Sequence, residues 1–259
     1  MILFGKPVAD KIFEELQSKP KPAGKFVAIQ IGANPVSSFY VEKKRKIAQM
    51  LNVDFELVNI SENSASNLTE KIAMLNSDPS VKSIMVQIPL PEGFDREQIA
   101  AKIVNEKDVD GFSYIIGKED SIYFPPTVLA IDELLNFYNI SKEDKKILIV
   151  GEGFLVGRPL HHFWQTKKLD SEILKKEDSN YFEKLKSADI VVLATGAGLK
   201  LSDDNFKEHA VVIDASTVSE NGAIKGDAQI NDPSMVSIAP VPGGVGPVTI
   251  AMLFKNFFN

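Results

Sequence analysis

The sequence predicts an α/β protein of two lobes, each built on a parallel sheet, and three observations predict it. Short continuous apolar runs alternate with amphipathic stretches along nearly the whole chain, as strands covered by helices on both faces require. Midway, the glycine turn Gly151-Glu152-Gly153 follows one apolar run and opens a helical stretch. A fresh succession of strand and helix starts there, after a helical segment at 127–138 and a charged stretch at 139–146, so the chain restarts as a second lobe.

Taken in order, the amphipathic segment 8–17 predicts a first helix and the run Phe26-Val27-Ala28-Ile29 a strand at 26–31. A helix over 37–51 and a strand at 55–60 complete the first repeat, and a helix at 67–75 leads to a strand at 83–88 that Pro89 and Pro91 terminate. The helix at 127–138, with Leu129, Ile131, Leu134, Leu135 and Phe137, connects the lobes, and its charged sequel should be solvated. Strands at 147–150, 172–174, 190–194 and 211–214 and a helix at 154–167 build the second lobe. The last helix, 245–258, carries Ile250, Leu253, Phe254, Phe257 and Phe258, apolar surface that must dock, and the first lobe is the expected place. The expected domains are therefore 1–122 with 245–259, and a Rossmann-like, dinucleotide-binding 123–244.

Composition narrows the class. A length of 259 residues suffices for two modest cores, and 44% hydrophobic with 25% charged residues is ordinary for a soluble protein. No run approaches the roughly 18 apolar residues of a membrane span, and residues 1–16 lack the features of a signal peptide, so a cytoplasmic protein without a membrane partner is expected. A formal charge of −6 speaks against a nucleic-acid partner. The chain has no cysteine, which excludes disulfides and thiolate chemistry, and its three histidines leave little for a metal centre. Of these, His161 and His162 read with Trp164 as packing or surface residues.

Several stretches carry candidate chemistry. In Gly151-Glu152-Gly153-Phe154-Leu155-Val156-Gly157 the glycines would let backbone amides approach a pyrophosphate at a helix N-terminus, although a tight βα loop reads the same way. On the helix, taken from Val36 to Leu51, Val36, Tyr40, Ile47 and Leu51 form an apolar stripe whose missing member is Lys43 or Lys44. A lysine held in such a stripe among further cations would have its pKa lowered toward the range of proton transfer; a snorkelling surface lysine is the plainer alternative. Gln87, an amide in an apolar strand, satisfies backbone or faces a ligand. Lys107-Asp108-Val109-Asp110-Gly111 reads as a charged turn closed by glycine, and Pro240-Val241-Pro242-Gly243-Gly244-Val245-Gly246-Pro247 as a rigid, ligand-facing loop.

Together these stretches resemble the methylenetetrahydrofolate dehydrogenase/cyclohydrolase family over essentially the whole length. The resemblance is carried by Asn34-Pro35-Val36-Ser37-Ser38-Phe39-Tyr40-Val41-Glu42-Lys43-Lys44, by Val86-Gln87-Ile88-Pro89-Leu90-Pro91, by Lys107-Asp108-Val109-Asp110-Gly111-Phe112 and, above all, by the loop 240–247. It implies two α/β lobes with both ligands in the cleft between them, and a homodimer formed through the nucleotide lobe. It places the catalytic lysine at Lys44, with Tyr40 stacking on the folate, Gln87 orienting Lys44, Asp110 bonding the pterin, and Pro242, Gly243 and Gly244 lying along the folate. Gly151, Glu152, Gly153, Lys176, Thr195, Gly196 and Thr217 are the implied cofactor contacts, with NADP the expected dinucleotide and NAD the alternative. The chain departs from the family on that side. Glu152 stands where an arginine is usual and would repel a 2′-phosphate, whereas Lys175-Lys176 would attract one. Pro125-Pro126-Thr127-Val128 and Ser216-Thr217-Val218 also depart, which leaves a hydrolase or folate binder with impaired oxidation as the alternative, and a shikimate-type dehydrogenase behind it.

Overall fold

The computed structural model describes residues 1–61, 65–220 and 223–259, without the side chains of Val36, Ala65, Ser66 and Ser219. Val36, the first member of the expected stripe, thus lies outside the described side chains. The chain divides into two compact units, one of Ile12–Pro126 with Leu253–Asn259, the other of Met1–Lys11 with Thr127–Met252. The divisions fall within the first helix, α1 (Gly5–Gln17), and within the last, Val245–Phe258.

The first of these units holds β1 (Lys25–Ile31), α2 (Pro35–Met50), β2 (Phe55–Ile60), α3 (Ala65–Ser77), β3 (Val81–Val86), α4 (Arg96–Lys102) and α5 (Phe112–Ile115). Its sheet is parallel, in the order β2-β1-β3. β1 lies in the middle and is buried from Phe26 to Ile31, which explains why its sequence is apolar without alternation. The Phe26 ring meets Phe55, Phe254 and Phe257 at centroid distances of 5.5, 5.4 and 5.5 Å, so the last turns of the chain dock on the central strand. The third strand ends at Val86 rather than at 88: Gln87 still donates its amide to Ile29 O at 2.8 Å, but Pro89 has no amide to continue the ladder.

The second unit holds α6 (Pro126–Phe137), β4 (Ile147–Val150), α7 (Gly157–Thr166), β5 (Ser171–Leu174), α8 (Tyr181–Ser187), β6 (Ile190–Leu193), β7 (Leu201–Ser202), β8 (Val211–Asp214), β9 (Val218–Glu220), β10 (Ala223–Lys225), β11 (Ala228–Gln229), β12 (Ser237–Ala239) and most of α9 (Val245–Phe258). Five strands form a parallel sheet ordered β12-β8-β6-β4-β5. The chain leaves β4 toward β5 on one side and returns to β6 on the other. The carboxyl ends of β4 and β6 therefore flank the switch point where open α/β sheets take ligands.

Three expectations change here. Met1–Lys11, assigned by sequence to the first lobe, groups with this unit because Leu3 N donates to Ile238 O at 2.7 Å and Ile238 N to Met1 O at 2.9 Å, adding the N-terminus to the edge of β12. The helix expected from 154 starts at Gly157: the preceding residues fold back so tightly that a Cβ on Gly157 would overlap Gly151 O. The charged stretch after α6 is not solvated throughout, since Lys142 turns back to Asp132 at 2.9 Å. Asp132 also takes Lys167 at 2.8 Å and the indole N–H of the buried Trp164 at 2.9 Å. No helix among the described residues is long and apolar enough to cross a membrane.

Candidate active site

In the unit of Ile12–Pro126, α2 is set against β1 by its first turn. Asn34 Oδ1 accepts from Ser37 N at 3.2 Å, and the buried Gln30 donates to Gly32 O at 3.2 Å and to Ser38 Oγ at 2.9 Å. That fixes the rotation of the helix and the direction of Tyr40 and Lys44, one turn apart. Lys44 Nζ donates to Gln87 Oε1 at 2.8 Å. Gln87 is buried, and its Nε2 is committed to Ile88 O at 2.5 Å, which leaves the carbonyl oxygen for the ammonium. Lys43 points elsewhere, its Nζ 4.5 Å from the centre of the exposed Phe39 ring and 5.8 Å from Tyr40.

The loop carrying Asp110 is shaped by its neighbours. Asp108, buried, accepts from Phe112 N at 3.1 Å and Ser113 N at 2.6 Å, capping the short α5. Gly111 takes a left-handed φ of 67°, and a Cβ there would stand 2.7 Å from the backbone at Phe124 and Pro125. From the end of the chain, Asn256 Nδ2 donates to Val109 O at 2.9 Å and Phe124 O at 3.0 Å, clamping both sides of that glycine. The sequence offers no sign of this role for Asn256, whose partners lie more than a hundred residues away.

Burial dominates the electrostatics. It lowers the Lys44 pKa, against the pull of the Asp110 charge. Burial lifts Asp110 to about 7, opposed by Lys44 and reinforced by Asp108, and lifts Asp108 itself to about 6. Tyr40 is half-buried and its hydroxyl is pushed up for the same reason. An amine whose pKa burial lowers, a carboxyl lifted to about 7 and an aromatic ring thus come from a single unit. Such a set can move protons at a heterocycle held against the ring.

The unit of Thr127–Met252 brings together the residues expected to hold a dinucleotide. Gly151 has a φ of 98°, and a Cβ on it would press on Ala194 O at 3.1 Å, so the turn after β4 lies against the end of β6. The stretch after β8 joins them: Ser216 Oγ accepts from Thr195 N at 3.1 Å and Gly196 N at 3.3 Å, with Thr217 exposed beside it. A cavity of about 700 Å³ opens at these strand ends, lined by Gly151, Glu152, Lys175, Lys176, Tyr181 and Thr195 among others. A backbone cradle that only glycine permits, lysines at the end of the second strand and the position at the switch point all fit a phosphorylated dinucleotide. Gly153 is exposed in the same turn. Glu152 Oε2 and Lys175 Nζ pair at 2.6 Å, so the two groups whose effects oppose each other in the sequence partly cancel.

The loop 240–244 follows β12 at the same edge of this sheet. Gly244 N donates to Pro240 O at 2.7 Å and Gly5 N to Gly243 O at 2.8 Å, and a Cβ on Gly5 would overlap Gly244 O. Gly5 is a second residue the sequence did not single out. Gly243 has a φ of 107° with open space where a Cβ would be, and Pro242 is exposed.

Comparison with known proteins covers both units. The family model described as tetrahydrofolate dehydrogenase/cyclohydrolase, catalytic domain, matches residues 3–110, and the one described as the NAD(P)-binding domain of the same enzymes matches residues 125–259. The chain is 36% identical to the bifunctional protein FolD of Chlamydia felis, over 99% of this chain and 96% of that one. Among solved structures, the bifunctional FolD methylenetetrahydrofolate dehydrogenase/cyclohydrolase of Campylobacter jejuni superposes with a TM-score of 0.90 at 32% identity, covering 100% and 97% of the two chains. The dehydrogenase-cyclohydrolase of Trypanosoma brucei, solved with NADP and an inhibitor, gives 0.87 at 27% identity, covering 99% and 95%.

Proposed function

The chain belongs to the tetrahydrofolate dehydrogenase/cyclohydrolase family, and on that premise we propose that it oxidises 5,10-methylenetetrahydrofolate with NADP and hydrolyses the 5,10-methenyltetrahydrofolate formed to 10-formyltetrahydrofolate. The observation that carries this reading is the 2.8 Å bond from Lys44 to the oriented amide of Gln87, in reach of the Asp110 charge. A folate binder without chemistry would not need a desolvated amine held in that way.

Tyr40 stacks on the folate and Asp110 hydrogen-bonds its pterin end, while Gln87 keeps Lys44 in place. Pro242, Gly243 and Gly244 are assigned to folate on the family resemblance, supported by the backbone that Gly5 holds rigid. In the oxidation the dinucleotide supplies the hydride acceptor. No proton leaves carbon, so the contribution of the chain is orientation. In the hydrolysis Lys44, as the amine that burial favours, takes a proton from water as the water oxygen bonds to the methenyl carbon. The ammonium gives that proton to N5 as the carbon–N5 bond breaks, and the carbinol proton leaves as the formyl group forms on N10. One proton is released overall.

For the dinucleotide, Gly151, Glu152, Gly153, Thr195, Gly196 and Thr217 form the cradle and Lys176 meets the 2′-phosphate. NADP is taken over NAD because Lys175 engages Glu152 at 2.6 Å and Lys176 lines the same cavity as a cation for the 2′-phosphate, beside the carboxylates of Glu177 and Asp178. We also assign the chain to the cytoplasm and, on the family resemblance, to a homodimer formed through the nucleotide-binding unit. Light scattering of the purified protein checks the dimer. The activity is tested by following nicotinamide absorbance with methylenetetrahydrofolate and NADP or NAD in parallel, and loss of methenyltetrahydrofolate separately. Both activities are expected, with NADP the better acceptor. Hydrolysis without oxidation by either dinucleotide would reduce the function to the hydrolase.

A further inference from the structure

Asp227 is wholly buried, yet it accepts four hydrogen bonds and has no cation as partner among the described residues. Oδ1 takes Gly198 N at 2.8 Å and Leu199 N at 3.1 Å. Oδ2 takes Thr195 Oγ1 at 2.5 Å and the hydroxyl of Ser216. The two hydroxyls pass the connection on: Thr195 Oγ1 accepts from Ala197 N at 3.0 Å, and Ser216 Oγ from the amides of Thr195 and Gly196. One carboxylate therefore ties the loop after β6 to the loop after β8, on the carboxyl edge of the sheet.

The chain has gone to some length to insert it there. Gly226 precedes it, and a Cβ at that position would overlap the carboxylate of Asp214. Asp214, buried at the end of β8, accepts Ser216 N at 3.0 Å and Ala228 N at 2.8 Å, holding the residue after Asp227 to the loop after β8. Two buried carboxylates satisfied by hydrogen bonds alone are a poor way to gain stability, because desolvation of each charge opposes folding. They are a good way to fix a backbone path, since the two oxygens of one carboxyl can take hydrogen bonds from two separate stretches of chain.

We propose that Asp227 is a positioning residue for the dehydrogenase step, setting the Thr195–Leu199 and Ser216–Thr217 loops at the spacing the dinucleotide requires. The inference rests on the dinucleotide reading of this edge. It implies that the residue matters to oxidation and is indifferent to hydrolysis of preformed methenyltetrahydrofolate, a redox-neutral reaction that uses no dinucleotide.

The test measures NADP affinity by calorimetry for the wild type, Asp227→Asn, Asp227→Ala and Ser216→Ala, with hydrolysis followed in the same preparations. Asp227→Asn keeps an oxygen for the Gly198 and Leu199 amides but turns a donor toward the two hydroxyls, whereas Asp227→Ala loses all four bonds. The NADP dissociation constant should rise at least tenfold in Asp227→Asn and further in Asp227→Ala, and the KM for NADP should follow it, while hydrolysis stays within twofold of wild type in Asp227→Asn. Ser216→Ala, the milder change, should move in the same direction and keeps the test open if the Asp227 variants do not fold. An NADP affinity within twofold of wild type in Asp227→Asn, or in Ser216→Ala where that is the variant that folds, overturns the proposal. So does a parallel fall of both activities. No NADP binding by the wild type would overturn the dinucleotide reading as well, which separates the two failures.

Discussion

Burial keeps a proton on Asp110 up to about pH 7, whereas an exposed aspartate loses it near 3.8. Between those values the native state binds a proton that the unfolded chain has released, so this group contributes stability at low pH that is lost as pH rises through about 7. Urea unfolding at several pH values across that window should show a flatter stability profile for Asp110→Asn than for the wild type; equal slopes would mean that Asp110 does not titrate in this way. The pair of Glu152 with Lys175 gives a second prediction. Both side chains are about half exposed, at 53% and 48%, so the pair itself adds little stability, and its consequence is local charge. Glu152→Gln should lower the KM for NADP and leave the KM for NAD nearly unchanged, whereas Lys176→Ala should raise the KM for NADP. Steady-state kinetics with both dinucleotides checks the pair of changes. From sequence alone, Lys43 and Lys44 were equivalent members of a basic run, and the resemblance chose between them. The structure separates them through partners: Gln87 for Lys44, the Phe39 ring for Lys43.

Elements were legible where a strand is covered on both faces. The strands Ile147–Val150 and Val211–Asp214 fall at the bounds their apolar runs give, because both are largely buried, and the edge strand Phe55–Ile60 matches its expected bounds although only Ile60 in it is buried. The seven-residue helices α4 and α8 were not read, since each buries at most two apolar side chains, Ile99 and Ala100 in one and Leu185 in the other. The short β12 escaped for a different reason: its partners are β8 and the N-terminus, more than twenty and more than two hundred residues earlier in the chain. The Asp110 loop is the element on which the proposed chemistry depends, and its shape rests on one backbone conformation. Gly111→Ala forces a side chain into a left-handed position 2.7 Å from backbone, and should destabilise the protein by about 2 kcal/mol and reduce hydrolysis by moving Asp110. Denaturant midpoints and hydrolysis rates measured together check both effects.

At the scale of the whole molecule, each unit carries its own candidate site: Lys44 bonded to Gln87 in one, a cavity beside the Gly151 turn in the other, and the proposed proton transfer and dinucleotide binding divide between them accordingly. The residues proposed to touch ligand were picked out in the sequence, because chemistry constrains residue type and the motifs are local. The residues that hold them in place, Gly5, Asp214, Asp227 and Asn256, were not, because each acts through partners that folding brings in from distant stretches of chain. The central claim is that a desolvated amine at position 44 performs the hydrolysis. It is tested most directly by measuring methenyltetrahydrofolate hydrolysis in Lys44→Met, with circular dichroism and NADP binding as controls for the fold. Hydrolysis should fall by about a hundredfold or more, the range expected when a general acid–base group is removed, with fold and NADP affinity preserved. Hydrolysis at the wild-type rate in a folded Lys44→Met protein would contradict the account.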